Sequence, residues 1–366
     1  MLIMLPGPTN VPNEVIEAMT KPIIGHRGEE FHRLYSRISE NLKYVFQTEN
    51  DVFVLTSSGT GGVECAISNL ISRGDKVIVP VGGVFSERLC ECIEIYGGKP
   101  IKVVVDWGSA ASYEQIEEAV NEHKDAKAVA LVYNETSTGA KVRSEDMEKI
   151  GKLTSMKDML FIVDAISILG GDLLPVDKWN IDVCITGSQK CLACPPGLAL
   201  ISVSNKALKV ASERPRRGSF YFDFIKLKQF HEKRETPFTP AIPLFYALDA
   251  ALELIKKEGL ENRIERHRKC ARAMYSGLEE LGFKIYPRED FRSNTVIVSI
   301  PPNNLQPDQI RKFVREKHEI IIAGGMGRLK GKVIRIGCMG IVSLDIVSRT
   351  LSAIEDAVSH FSHTVK

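Results

Sequence analysis

Between residues 50 and 205 the chain alternates short, mostly apolar runs with stretches of helical period, and this alternation most narrows what it can fold into. The runs lie at 52–55, 76–81, 101–105, 128–132, 160–163, 183–185 and 198–203. A strand with one wet face alternates polar and apolar residues, whereas a strand without polar interruption is covered on both faces. Between the runs, Val63, Ala66, Ile67, Leu70 and Ile71 recur at helical spacing, and Ser112 with Gln115 forms a capping-box pattern. The prediction is an α/β fold with a mostly parallel central sheet sandwiched by helices. In such sheets ligands bind at the carboxyl ends of the strands, so the residues that close each run are the candidate site.

The pattern changes further along. Residues 242–281 read as helices broken at Gly259, followed by strands at 295–300, 320–322 and 332–336 and helices at 308–316 and 343–361. That is a smaller α+β unit. The expected division is an N-terminal arm over 1–20, a large domain over 21–256 and a small domain over 257–366. A length of 366 residues suits about two domains. Lys and Arg number 48 against 46 Asp and Glu, a net of +2, which argues against nucleic acid as a partner. No apolar run approaches the roughly 20 residues of a membrane helix. The opening Met1-Leu2-Ile3-Met4-Leu5-Pro6 lacks the charged start of a signal peptide, so a cytoplasmic protein is expected.

Eight cysteines in such a chain are expected to be free thiols. Cys191 and Cys194 have CxxC spacing, which raises zinc or redox chemistry. A zinc site wants four ligands, and Cys90 and Cys92 have the wrong spacing to complete one. The expectation is a pair of buried thiols and no metal.

Three strand ends carry chemistry. The first run closes on Thr56-Ser57-Ser58-Gly59-Thr60-Gly61-Gly62, a Gly-rich turn into a helix, where backbone N–H groups and the helix dipole make an anion cradle. It is neither a Walker loop nor a GxGxxG fingerprint. The run at 160–163 closes on Asp164, a carboxylate suited to a metal, a ribose hydroxyl, a protonated ring nitrogen or a helix cap. The run at 183–185 leads to Gly187-Ser188-Gln189-Lys190, a lysine among small and apolar residues. Desolvation lowers the pKa of such an amine, which makes it a usable nucleophile. A phosphate cradle, an aspartate and a nucleophilic lysine on strand ends together meet the needs of pyridoxal 5'-phosphate.

At this point the chain resembles the class V branch of fold-type-I pyridoxal-phosphate aminotransferases, nearest to serine–pyruvate and alanine–glyoxylate aminotransferases. The likeness covers nearly the whole chain. It runs through Leu5-Pro6-Gly7-Pro8-Thr9, Gly25-His26-Arg27, Ser57-Ser58-Gly59-Thr60, Asn134-Glu135-Thr136-Ser137-Thr138-Gly139 and Val163-Asp164-Ala165. It continues through Gly187-Ser188-Gln189-Lys190, Pro195-Pro196-Gly197 and Ile334-Arg335-Ile336-Gly337. The resemblance implies that Lys190 carries the cofactor as a Schiff base and that Asp164 pairs with its ring nitrogen. It implies that Ser58, Gly59, Thr60 and Gln189 hold the phosphate, that Ser137 lies near the phenolic oxygen and that Phe85 stacks on the ring. Arg335 matches the arginine for the substrate carboxylate, and Thr239 falls in a segment that reaches a neighbouring subunit's phosphate, which implies a homodimer with shared sites. The activity implied is transfer of an amino group from serine or alanine to pyruvate or glyoxylate. The alternative within the fold is a cysteine desulfurase or another lyase, with Cys338 as the candidate thiol.

Overall fold

The computed structural model describes residues 1–214, 218–302 and 305–362. The strands are β1 (Leu2–Met4), β2 (Asp51–Thr56), β3 (Lys76–Val81), β4 (Lys99–Val104), β5 (Ala128–Val132), β6 (Asn134–Glu135), β7 (Ala140–Lys141), β8 (Leu160–Asp164), β9 (Val183–Gly187) and β10 (Leu198–Val203), then β11 (Lys284–Ile285), β12 (Val296–Ile300), β13 (Ile320–Gly324) and β14 (Ile334–Gly337). The helices are α1 (Asn13–Ala18), α2 (Glu29–Phe46), α3 (Gly59–Leu70), α4 (Val84–Ile95), α5 (Tyr113–Glu122), α6 (Ser144–Met156), α7 (Asn205–Glu213), α8 (Phe224–His231), α9 (Ile242–Glu258), α10 (Leu260–Glu280), α11 (Pro307–His318) and α12 (Leu344–Ser362).

Seven strands form the large sheet in the order β2-β10-β9-β8-β5-β3-β4. Successive side chains of a strand point to opposite faces. Val52 and Val54 accordingly join one core and Phe53 and Leu55 the other, so helices cover both sides as the apolar runs require. The expected reciprocal cap at α5 is present, with Gln115 Oε1 accepting the Ser112 N–H at 3.0 Å. The strand β10 departs from the parallel set. It pairs antiparallel with both β9 and β2. Only ten residues separate β9 from β10, too few for the crossover that a parallel partner needs. Because β10 is antiparallel to both neighbours, β2 runs the same way as β9. The carboxyl ends of β2, β5, β8 and β9 therefore open on one edge of the sheet.

The second sheet has the order β1-β13-β14-β12-β11, which places β14 inside it rather than at an edge. Within residues 1–20, expected as an N-terminal arm, Leu2–Met4 pair in parallel with Ile320–Ile322 and extend this C-terminal sheet. Gly259 joins α9 to α10 with φ +83°, a conformation that favours glycine, just beyond the expected division at residue 256. Among the described residues, no helix is long and apolar enough to cross a membrane.

Candidate active site

The end of β2 delivers the cradle. Ser58 precedes the first residue of α3, but its side chain makes no capping bond. The first intrahelical acceptor is the Ser58 carbonyl, which takes the Gly62 N–H at 3.2 Å. The N–H groups ahead of it lack helical partners and sit at the positive end of the helix dipole. Ser58, Gly59 and Thr60 line a cavity of about 370 Å³, and Asp164, Gln189, Lys190 and Phe85 line the same cavity.

Asp164 ends β8. Its Oδ1 accepts the Ile166 N–H at 2.9 Å. Burial pushes its carboxyl up from 3.8 to about 6, with the nearby negative charge of Glu135 adding to the rise and the charges of Lys190 and Arg88 opposing it. Lys190 lies on the turn between β9 and β10. Burial pushes its amine down to about 8, the positive charge of Arg335 acting in the same direction and Cys191 and Asp164 opposing. The amine donates to the carbonyl of Pro6, in the N-terminal segment. Gly7 has φ +111°, and a Cβ there would collide with the Lys190 side chain, so only glycine lets that segment pass.

The aromatic wall comes from the start of α4. Phe85 lines the cavity, and the Arg88 guanidinium lies 4.9 Å from its ring centre. The buried carboxylate of Glu135 accepts the Phe85 N–H at 3.2 Å and the Ser86 N–H at 3.0 Å, which fixes this helix end. Ser137 does not face the cavity. Its hydroxyl donates to Glu135 at 2.5 Å and accepts the Val84 N–H at 3.1 Å. Thr136, its neighbour, lines the cavity instead and donates to Ser167 Oγ at 2.8 Å. Residues 136–139 form a turn closed by the Thr138 and Gly139 N–H groups on the Glu135 carbonyl, and within it Thr136 rather than Ser137 borders the cavity.

Arg335 is 9% exposed and stands behind the Thr136 backbone. Its Nε donates to the Gly324 carbonyl at 2.7 Å and its Nη1 to the Thr136 carbonyl at 3.2 Å. Among the described residues it pairs with no carboxylate. Desolvation pushes its pKa down to about 10. Thr239 is exposed and borders a shallow groove with Thr56, Tyr221 and Phe238, so within one chain it does not reach the Lys190 cavity.

The donor set fits pyridoxal phosphate. Unpaired N–H groups of α3 suit a phosphate, and the Gln189 amide beside them has a buried oxygen without a partner. The raised carboxyl of Asp164 suits a protonated ring nitrogen, and the depressed amine of Lys190 suits an aldehyde. Cys191 and Cys194 are buried free thiols, and burial pushes each of them up to about 12. No group of three metal-ligating side chains occurs among the described residues.

The family profile described as Aminotransferase class-V matches residues 2–335. The chain belongs to the class V aminotransferases. It is 44% identical over its full length to an uncharacterized aminotransferase of Methanocaldococcus jannaschii, of which it covers 94%. It is 35% identical to serine–glyoxylate aminotransferase of Methylorubrum extorquens, over 92% of this chain and 86% of that one. The crystal structure of an alanine–glyoxylate aminotransferase from Nostoc superposes with a TM-score of 0.93 at 31% identity, covering 98% of this chain and 95% of the other.

Four residues of this aminotransferase site escaped the sequence reading: Pro6, Arg88, Glu135 and Thr136. Glu135 stood inside a recognised motif, but nothing in its spacing shows that a glutamate there is buried under a helix end. Thr9 is a fifth, since its N–H donates to the Gln189 carbonyl and its hydroxyl to the Lys190 carbonyl, each at 3.2 Å.

Proposed function

We propose that this aminotransferase moves an amino group from a small amino acid, serine or alanine, to a small 2-oxo acid, glyoxylate or pyruvate, with pyridoxal phosphate carried on Lys190. One observation carries the reading: an amine depressed to about 8 and an aspartate raised to about 6 line one cavity, with a buried arginine that has no carboxylate partner close by. Pyridoxal phosphate, when bound, supplies the aldehyde and the electron-withdrawing ring. Asp164 accepts the ring N–H and keeps that proton in place. Arg335 retains N–H donors on Nη1 and Nη2 and grips the substrate carboxylate, which sets the Cα–H bond toward Lys190. With the cofactor bound, the lysine amine, close to neutral pKa, would serve as the general base that takes the Cα proton and as the acid that gives it back. The donor leaves as a 2-oxo acid and the acceptor leaves as an amino acid. Serine and alanine fit because related chains are named for serine and alanine with glyoxylate.

The working unit proposed is a cytoplasmic homodimer in which Thr239 reaches the neighbouring copy's phosphate cradle. Phe220 is 76% exposed, and Tyr221 stacks on Phe238 beside Thr239 with ring centres 5.0 Å apart, an apolar surface that a second copy would cover. A large domain to about residue 256 and a small one beyond it, joined by strand β1, complete the proposed organisation. A desulfurase is disfavoured because it needs an exposed thiolate. Cys338 is fully buried with its thiol pushed up, and Cys92, at the cavity wall, is pushed up to about 12. The test is direct. Serine or alanine with glyoxylate is expected to yield hydroxypyruvate or pyruvate and an equal amount of glycine. Sulfide from cysteine without glycine formation would overturn the reading.

A further inference from the structure

The turn that carries Lys190 is closed by bonds of its own, from the Ala193 N–H to the Lys190 carbonyl at 3.0 Å and from the Cys194 N–H to the Ser188 carbonyl at 3.1 Å, and it is also tied down from outside. Ala193 within it has φ +55°, a conformation disfavoured for a residue with a Cβ and maintained only by surrounding contacts. Three successive carbonyls of this turn are held from elsewhere in the chain. Thr9 takes those of Gln189 and Lys190. The third, on Cys191, accepts from Nη2 of Arg263 on α10 at 2.6 Å. Arg263 is only 4% exposed, and its Nε is buried without a partner.

Glu258, at the end of α9, aims that guanidinium. It accepts Nη1 of Arg263 at 2.8 Å, and Nε of Arg266 at 2.6 Å. Arg266 in turn donates to the carbonyls of Val342 at 2.5 Å and Gly340 at 3.1 Å, in the segment that follows β14. His267 locks the same segment. Its Nε2 accepts the Gly340 N–H at 3.1 Å, so its Nδ1 carries the proton and donates to the Arg263 carbonyl at 2.7 Å. One carboxylate thus organises two arginines. The first holds the lysine turn and the second holds the chain just past Arg335. A buried ion pair is weak support for stability as such, and an apolar cluster of similar volume would serve packing equally. Only a forked donor reaches both Glu258 and the Cys191 carbonyl.

We propose that Arg263 is a positioning residue for Lys190: its guanidinium, aimed by Glu258, holds the Cys191 carbonyl and so fixes the turn that presents the lysine to the cavity. The inference rests on Lys190 being the reactive amine of the proposed function. Its test reads the lysine itself. Full-length protein freed of cofactor is labelled with trace acetic anhydride across pH 6–11, and acetylation of the Lys190 peptide is followed by mass spectrometry in wild type, Arg263→Gln and Arg263→Lys. The titratable and charged groups acting on the amine are Asp164 from β8, Arg335 from β14 and the adjacent Cys191 thiol, and none of these residues is replaced in these variants. Wild-type Lys190 is expected to titrate near 8. With the turn released into water, the variants should titrate about one pH unit or more higher, toward the ordinary lysine value. Loaded with cofactor, they should lose about tenfold in kcat per loaded site while KM changes less than about threefold, because Arg335 is untouched. If Arg263→Gln does not fold, Arg263→Lys decides, since an ammonium reaches one of the two partners and not both. An unchanged Lys190 titration in a folded variant overturns the proposal. Failure of the aminotransferase reading shows separately, as wild-type protein without amino transfer.

Discussion

Replacing Asp164 by asparagine should stabilise the cofactor-free protein at pH 8 while removing its activity. The side chain ends a buried strand, and desolvation outweighs the single N–H it accepts from Ile166. Its pKa is raised from 3.8 to about 6, so the folded chain binds the proton more tightly than the unfolded chain. The linkage then has a definite sign. Stability associated with this group is fully present below about 3.8 and is lost as pH rises through about 6. At about 1.4 kcal/mol per pH unit, the loss amounts to roughly 3 kcal/mol by pH 8. Asparagine removes the charge but keeps an oxygen for the Ile166 N–H. Urea denaturation of cofactor-free wild type and Asp164→Asn, from pH 4 to pH 8, should give curves that diverge with rising pH. The variant should gain up to roughly 3 kcal/mol at pH 8 and less than about 1 kcal/mol at pH 4. Pyridoxal phosphate should reverse the order, since only the carboxylate pairs with a protonated ring. Parallel curves across this range would refute the buried, uncompensated carboxylate on which the argument depends.

Arg335→Ala should cost about 2–5 kcal/mol of substrate binding, because it leaves a carboxylate without its partner. At about 1.4 kcal/mol per tenfold, kcat/KM should fall by roughly 30- to 4,000-fold, with only partial rescue by lysine. A fall of under about threefold would mean that another cation grips the substrate. Cys338→Ala should retain amino transfer within about threefold, since its thiol is buried and protonated; loss of activity without loss of fold would return the lyase to consideration. In sedimentation, the active protein should run at about twice 40.7 kDa, and Thr239→Ala should weaken cofactor retention. Full activity as a monomer would remove Thr239 from the site.

Ser58, Asp164 and Lys190 were legible because the chemistry stands directly after an apolar strand, and the rule that ligands gather at strand ends needs no tertiary detail. The large sheet was legible for the same reason. The antiparallel sense of β10 follows from the length of one connection, a weaker signal than the apolar run itself. Nothing in Leu2-Ile3-Met4 announces a partner more than 300 residues away, so its pairing with β13 was not legible in the N-terminal arm. The exchange between Ser137 and Thr136 shows a different limit. A motif fixes which hydroxyls are present, while the turn closed on the Glu135 carbonyl fixes which of them borders the cavity. Arg263 was invisible for a third reason. Along α10 it is one of several arginines, including Arg266, Arg268 and Arg272, and its full burial, which separates it from them, is not written in the sequence.

The central claim is that Lys190 is the covalent anchor of pyridoxal phosphate and that amino transfer passes through it. Its most direct test is to reduce the cofactor-loaded protein with borohydride, digest it and locate the added pyridoxyl mass. The expected result is one modified peptide containing Lys190, absent from Lys190→Ala, with amino transfer from serine or alanine to glyoxylate lost in that variant. A pyridoxyl group on another lysine, or wild-type amino transfer by Lys190→Ala, would contradict the account.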